Sequence, residues 1–166
     1  MESFWPYVSI AISLLAFAVA AYFYVWVQKL PTANVTIERI GAIIRQGAFA
    51  FLRREYRILT IFAGAIVVLI LLFFPEPFWK GGIERNLIMA VAYVAGTTLS
   101  GLAGYVGISI STIANQKSAS AARSGLDPSF MAGFRGGAVM GMAVVGTSLM
   151  GAAAVYLITK DPEVLI

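Results

Sequence analysis

Four long apolar stretches are the feature that most constrains the fold of this 166-residue chain. They cover about residues 4–27, 58–74, 87–114 and 129–159, and each approaches the roughly 20 residues that a helix needs to cross a hydrocarbon core of about 30 Å. Charged residues make up only 12% of the chain, about half the usual share of roughly 25%. The sequence therefore predicts an all-α membrane protein with four transmembrane helices in two antiparallel hairpins, forming a single membrane domain over residues 1–166.

The first stretch has one alternative interpretation, a secretory signal peptide. Signal peptides begin with positive charge, whereas Glu2 is the only charged residue before this stretch. The apolar run continues to Val27, which is too long for a typical signal core. Aromatic residues cluster toward its two ends, as they do in interfacial belts. These features favour a spanning helix.

A basic, amphipathic segment precedes the second stretch. Its apolar residues follow helical spacing, and its arginines lie mainly off that stripe. We expect one continuous helix whose basic end lies in the headgroup zone, with Glu55 as the ion-pair partner of its arginine neighbours. The alternative is a specific site for phosphate or a lipid headgroup, which the position beside a membrane span makes the less favoured interpretation.

The connection between the third and fourth stretches is predicted to be a tight hairpin turn outside the membrane. The third helix should continue through the polar sequence NQKSASAARSG. Gly125 is a plausible residue to end it. Asp127 and Pro128 are typical of the N-cap and the first turn of the next helix.

Positive charges are divided unequally between the two sides of the predicted bundle. One side has the basic residues Lys29, Arg39, Arg45, Arg53, Arg54, Arg57, Lys117, Arg123 and Arg135. The other side has only Lys80, Arg85 and Lys160. Since cytoplasmic loops carry the excess of lysine and arginine, we expect the basic linkers in the cytoplasm and both chain ends outside. This asymmetry explains the pI near 9.6 without any nucleic-acid partner.

Glycine and other small residues recur at four-residue spacing in the third and fourth stretches. An interior glycine costs a helix in water roughly 0.5–1 kcal/mol relative to alanine, but in lipid small residues let helix backbones approach closely. We therefore expect the third and fourth helices to pack through these stripes. Ala103, Gly107 and Ser111 form a second stripe on the third helix. The candidate helix-packing residues are Gly96, Ser100, Gly104, Gly107, Gly133, Gly137 and Gly141.

Few residues are suited to catalysis or metal binding. The chain has no cysteine and no histidine, which removes the commonest general base and thiolate ligands. None of its eight carboxylates is central in a predicted span. The sequence GLAGYVG lacks the strand–turn–helix context and the lysine of a nucleotide-binding loop. We therefore predict no catalytic, cofactor-binding or metal-binding residue in this chain.

Three stretches occur together in one order. They are GAFAFLRREY (residues 47–56), SGLAGYVGISISTIANQKSASAA (residues 100–122) and FRGGAVMG (residues 134–141). They resemble the amino-terminal region of membrane-integral inorganic pyrophosphatases, the proton- or sodium-translocating pumps driven by pyrophosphate hydrolysis. The resemblance covers about residues 37–150.

The resemblance implies a larger molecule than this chain. Members of the family have a sixteen-helix subunit, usually paired as a homodimer, with six inner helices that bind magnesium pyrophosphate and ten in an outer ring. By position, this chain matches the first four, outer-ring helices. The catalytic aspartate, lysine and glutamate motifs begin on the fifth helix, so no catalytic residue is carried over. The chain resembles a fragment, a truncated reading frame or one piece of a split protein, inactive alone.

The expected function is the outer-ring scaffold of a pyrophosphate-energised ion pump in the cell membrane. The resemblance implies Mg²⁺ as cofactor of the complete pump, with K⁺ as a further candidate, and none for this chain alone. Its expected partners are the bilayer, the remaining helices and a second copy of the pump. A four-helix drug exporter would need an acidic residue within a span, which the first span lacks. A non-enzymatic membrane scaffold or assembly subunit is the alternative.

Overall fold

Four long helices make up nearly all of the described chain, residues 4–32, 35–74, 77 and 83–160 of a computed structural model. Helix α1 is Trp5–Lys29, α2 is Val35–Phe73, α3 is Ile83–Ala121 and α4 is Leu126–Thr159. Each is long and apolar enough to cross a membrane. The prediction of an all-α membrane protein is confirmed.

Helices α2 and α3 are longer than the apolar stretches within them. Each has 39 residues, which corresponds to roughly 58 Å at 1.5 Å per residue. The basic segment and the second apolar stretch form one unbroken helix, as the sequence predicts, and α3 continues into its polar extension. The connection between α2 and α3 lies mostly outside the described residues.

The connection between α3 and α4 is a tight turn built on one glycine. A short 3₁₀ turn, Ala122–Ser124, follows α3, and Gly125 then adopts a φ of 132°, which L side chains rarely tolerate. The prediction for Asp127 is wrong in detail. Helix α4 begins at Leu126, so Asp127 lies in its first turn and the N-cap position is Gly125, without a side-chain cap. Asp127 still places a negative charge at the positive end of the helix dipole.

The helices pack side by side in the order α1, α4, α3, α2. Helix α4 packs on both α3 and α1, and α2 packs on the other side of α3. The expectation of two hairpins is therefore wrong for the first pair, because in the described residues α1 makes its extended contact with α4, not α2. Neighbours in this row run antiparallel. One end of the bundle thus collects the carboxyl ends of α1 and α3 and the amino ends of α2 and α4.

Small and β-branched residues form the core where α1, α3 and α4 meet. Its fully or nearly fully buried members are Ala20, Val27, Ile110, Ala114 and Val139. Alanine side chains at these positions keep the helix axes close, as is typical of helix contacts in lipid. This core leaves most large apolar side chains on the outside of the bundle, where a membrane protein meets lipid or further helices.

Candidate functional site

Helices α3 and α4 approach each other closely at Gly136. A Cβ atom added to Gly136 would overlap the Cβ of Ala114 on α3. Gly107 of α3 faces the side chain of Met140, at 3.0 Å from such a Cβ. Gly107 therefore lies against α4, and Gly136 is a contact residue that was not among the candidate helix-packing residues.

Of the three glycines predicted to contact α3, only Gly133 lies near it, and Gly137 and Gly141 do not. All three are exposed. A Cβ added to Gly137 or Gly141 would meet no atom within 4 Å, and one at Gly133 would meet only Ser118 Oγ at 3.7 Å.

The reason is that α4 buries a different face from the predicted one. Its buried stripe has a spacing of three and four residues and consists of Ala132, Gly136, Val139, Ala143 and Gly146. Relative to the centre of that stripe, the three predicted glycines lie roughly 100–180° around the helix.

Tyr56 connects α2 to α3. Its hydroxyl group donates a hydrogen bond to the carbonyl oxygen of Gly101, and it would lie 2.9 Å from a Cβ added to Gly104. The predicted packing residue Gly104 thus makes room for a side chain of α2, not for α4. The sequence analysis missed Tyr56, although it ends one of the three stretches that carry the family resemblance.

The other predicted residues of α3 are less involved in contacts. A Cβ added to Gly96 would meet no atom within 4 Å, and Ser100 is exposed. Near the opposite end of the α2–α3 pair, Gly41 lies against the side chain of Gln116, at 2.9 Å from an added Cβ. The α2–α3 contact therefore depends on a few close approaches and not on a continuous small-residue stripe.

Two cations hold the carboxyl-terminal turn of α1. The ammonium group of Lys117 on α3 donates hydrogen bonds to the carbonyl oxygen of Leu30 and, at 3.0 Å, to the hydroxyl group of Thr32. This places positive charge at the negative end of the α1 dipole. The guanidinium group of Arg135 on α4 lies 3.9 Å from the ring centroid of Trp26.

Arg135 packs on aromatic side chains of α1. The guanidinium group lies over the Trp26 ring and 5.6 Å from the Phe23 ring centroid, so aromatic faces of α1 are its partners. Such cation–π contacts contribute about 0.5–2 kcal/mol. Arg135 therefore helps to hold α1 against α4.

A pair of serines ties the α3–α4 hairpin at its base. Ser118 Oγ donates a hydrogen bond to the carbonyl oxygen of Ser129 at 2.9 Å, and Ser129 Oγ donates one to the carbonyl oxygen of Ser118 at 3.1 Å. These reciprocal bonds satisfy backbone acceptors close to the turn. They fix the register of α3 against α4.

Three arginines border one open cavity on α2. Arg53, Arg54 and Arg57 line a space of about 400 Å³ together with Ala50 and Ile58. The predicted ion pair between Glu55 and these arginines is absent from the described part of the chain. Residues one or two positions apart do not face each other on a helix, which explains why this pairing fails.

Within the described residues, the contacts between helices place no side chains in an arrangement suited to acid–base or metal chemistry. Among the described residues, no group of three acidic or other metal-ligating side chains is close enough to hold an ion. A second cavity of about 350 Å³, between α1, α3 and α4, is lined mainly by apolar side chains and the hydroxyl-bearing residues Tyr24, Tyr105, Ser109 and Thr147. It has no cation that could hold a phosphate group.

Comparison with known proteins decides the family. A family model described as inorganic H⁺ pyrophosphatase matches residues 14–165. The chain belongs to this family. The resemblance carried by the three sequence stretches is therefore confirmed, and many of the contact residues described above, including Tyr56, Lys117 and Gly136, lie within those stretches.

Several curated relatives are pyrophosphate-energised pumps. The chain is 33% identical over 153 residues to a K⁺-insensitive proton pump of Methanosarcina mazei, covering 92% of this chain and 22% of the relative. It is 38% identical to proton pump 2 of Moorella thermoacetica, covering 86% of this chain and 20% of the relative. It is 36% identical to a K⁺-stimulated sodium pump of Thermotoga maritima, covering 89% and 19%. The chain thus spans about a fifth of the length of these pyrophosphatase-family relatives.

Proposed function

We propose that this chain forms the outer-ring helix scaffold of a pyrophosphate-energised ion pump. The observation that carries the proposal is the family match over residues 14–165, which includes all of α2, α3 and α4. In this role α1 to α4 anchor the pump in the bilayer and offer packing surfaces to its remaining helices. The exposed glycines Gly133, Gly137 and Gly141 are proposed to serve this second purpose.

The chemistry is proposed to reside in the rest of the pump. Hydrolysis of pyrophosphate by a magnesium-dependent enzyme needs acidic side chains that hold the metal and activate water, and the described helices of this chain have no such cluster. The Mg²⁺ site, the ion pathway and any K⁺ dependence are therefore assigned to helices outside this chain. A second copy of the complete pump is the proposed partner.

A chimeric pump tests this proposal. The segment of the Moorella thermoacetica pump that matches this chain is replaced by the chain itself, and phosphate release and proton uptake are measured in membrane vesicles. We expect the chimera to hydrolyse pyrophosphate and to pump, and the purified chain alone to release no phosphate above background. The control is the same pump rebuilt with its own segment.

Two outcomes would contradict the proposal. One is pyrophosphate hydrolysis by the purified chain with Mg²⁺ and without contaminating pyrophosphatases. The other is a chimera that inserts, folds and reaches the level of the rebuilt control in the membrane but neither hydrolyses nor pumps. The second result would favour a membrane scaffold or assembly role separate from the pump.

We also propose an orientation, with the basic end of the bundle in the cytoplasm and the amino terminus outside. The support is the positive-inside rule applied to nine basic residues on one side and three on the other. The antiparallel order of neighbouring helices brings the linkers that follow α1 and α3 to the same end.

Single cysteines test the orientation, since the chain has no native cysteine. Ser124 is exposed in the α3–α4 turn, so a membrane-impermeant thiol reagent added outside should not label Ser124→Cys in intact cells. The same reagent should label Ser3→Cys. The reverse labelling pattern would overturn the orientation.

A further inference from the structure

Three guanidinium groups on α2 form a positively charged surface that the pump role does not explain. Arg57 follows Arg53 by four residues and Arg54 by three. This spacing places the three side chains near one another on the helix. All three are exposed. They border the cavity of about 400 Å³ together with Ala50 and Ile58.

These positive charges are not neutralised within the described part of the chain. The structure shows no ion pair or side-chain hydrogen bond for the three arginines among those residues. Two other cations of the bundle have partners: Lys117 binds the end of α1, and Arg135 lies on Trp26. The arginine surface thus has three strong donors directed at a space that a ligand can enter.

The position of this surface on α2 indicates where its ligand comes from. The apolar part of the helix, residues 58–73, has 16 residues, or roughly 24 Å, whereas the hydrocarbon core is about 30 Å thick. A span that is too short draws headgroups inward and makes flanking cations extend toward them. Below the arginines, Ile61 and Phe62 are 71% and 61% exposed and offer an apolar surface to an acyl chain.

We propose that Arg53, Arg54 and Arg57 bind the phosphate group of an anionic lipid headgroup. Guanidinium groups form paired hydrogen bonds with phosphate oxygens, and an arginine keeps its charge under all conditions relevant here. A dissolved phosphate or pyrophosphate offers the same oxygens. Only a lipid also covers the apolar surface beside the arginines, and the bilayer supplies it at the required depth.

Native mass spectrometry of the full chain in a mild detergent tests the assignment. The protein is titrated with phosphatidylglycerol or with zwitterionic phosphatidylcholine, and the dissociation constant of the tightest lipid is measured. We expect a clear preference for phosphatidylglycerol. In R53Q/R54Q/R57Q its affinity should fall on the order of 100-fold, since each basic residue near an anionic surface contributes about fivefold.

Two matched variants separate a site from a general charge effect. K29Q/R39Q/R123Q removes the same charge from exposed positions elsewhere at this end of the bundle and should change the affinity only a few-fold. R53K/R54K/R57K keeps the charge but loses the paired hydrogen bonds, so its affinity should lie between those of the wild-type chain and the glutamine variant. It also provides the comparison if the glutamine variant does not fold.

Two kinds of result would contradict the proposed lipid site. Equal loss in R53Q/R54Q/R57Q and in K29Q/R39Q/R123Q, or no loss in the first, would overturn the site. Displacement of phosphatidylglycerol by low concentrations of inorganic phosphate or pyrophosphate would assign the arginines to a dissolved ligand instead of a lipid. Because the measurement involves no hydrolysis, its failure is distinguishable from failure of the proposed pump function.

Discussion

Gly136→Ala is the substitution that most directly tests how α3 and α4 pack. The new methyl group would overlap the Cβ of Ala114. That atom is bonded to the α3 backbone and cannot rotate away, so the helices themselves must separate. Carbon atoms need about 3.5–4.0 Å between them, which requires a shift that the whole contact would feel.

The expected loss of stability combines two opposing terms. Overpacking a close contact costs about 1–3 kcal/mol, and replacing glycine by alanine inside a helix returns about 0.5–1 kcal/mol. Gly136→Ala should therefore lower the free energy of unfolding by about 1–2 kcal/mol. Gly137→Ala, one residue away, meets open space and should be neutral or slightly stabilising.

Thermal unfolding in detergent, followed by the circular dichroism of the helices, measures both effects on equal terms. The double variant Ala114→Gly with Gly136→Ala moves the methyl group from one helix to the other and should recover most of the lost stability. If Gly136→Ala and Gly137→Ala shift the melting temperature alike, the backbones do not approach at Gly136.

Two further predictions concern the end of α1. Lys117→Met removes the hydrogen bonds to Leu30 and Thr32. It should accelerate hydrogen exchange of the last amides of α1 with little effect on α2. Equal exchange of these amides in the variant and the wild-type chain would contradict this role of Lys117. A double-mutant cycle of Arg135→Gln and Trp26→Leu should give a coupling of about 0.5–2 kcal/mol in thermal unfolding, and additive effects would show that the stacking contributes no stability.

The helices themselves could be predicted because their signal is local. Runs of apolar residues decide which segments span, and the continuity of α2 follows from apolar residues that keep helical spacing through the basic segment. The turn at Gly125 was also predictable, since a positive φ suits glycine and little else. Only the capping role of Asp127 was misplaced, within the one or two residues by which helix ends commonly differ.

The contacts between helices could not be predicted to the same degree. Glycines on α4 are frequent enough to form more than one stripe, and the sequence does not tell which of them faces a neighbour. Gly136 faces α3 while Gly137 faces outward because α4 is wedged between α3 and α1. The partner of Arg135 depends on the same adjacency, since Trp26 precedes it by more than 100 residues and no local pattern links the two.

The spatial order α1, α4, α3, α2 has a consequence for how the protein is made. Helix α1 is synthesised before α2 and α3, yet its main neighbour is α4, which is synthesised after them. Nearly 100 residues separate the end of α1 from the start of α4, and at ~5–20 residues per second their synthesis takes on the order of 5–20 s.

During that interval α2 and α3 can already pair, while α1 has neither Arg135 nor Gly146 beside it. Until α4 is made, α1 has only its few contacts with α3, and its 25 residues must be apolar enough to stay in the bilayer largely unaided. A substitution that makes α1 less apolar would then act during biogenesis, because α1 could leave the bilayer before α4 is made. This holds even for a substitution that the finished bundle would accommodate.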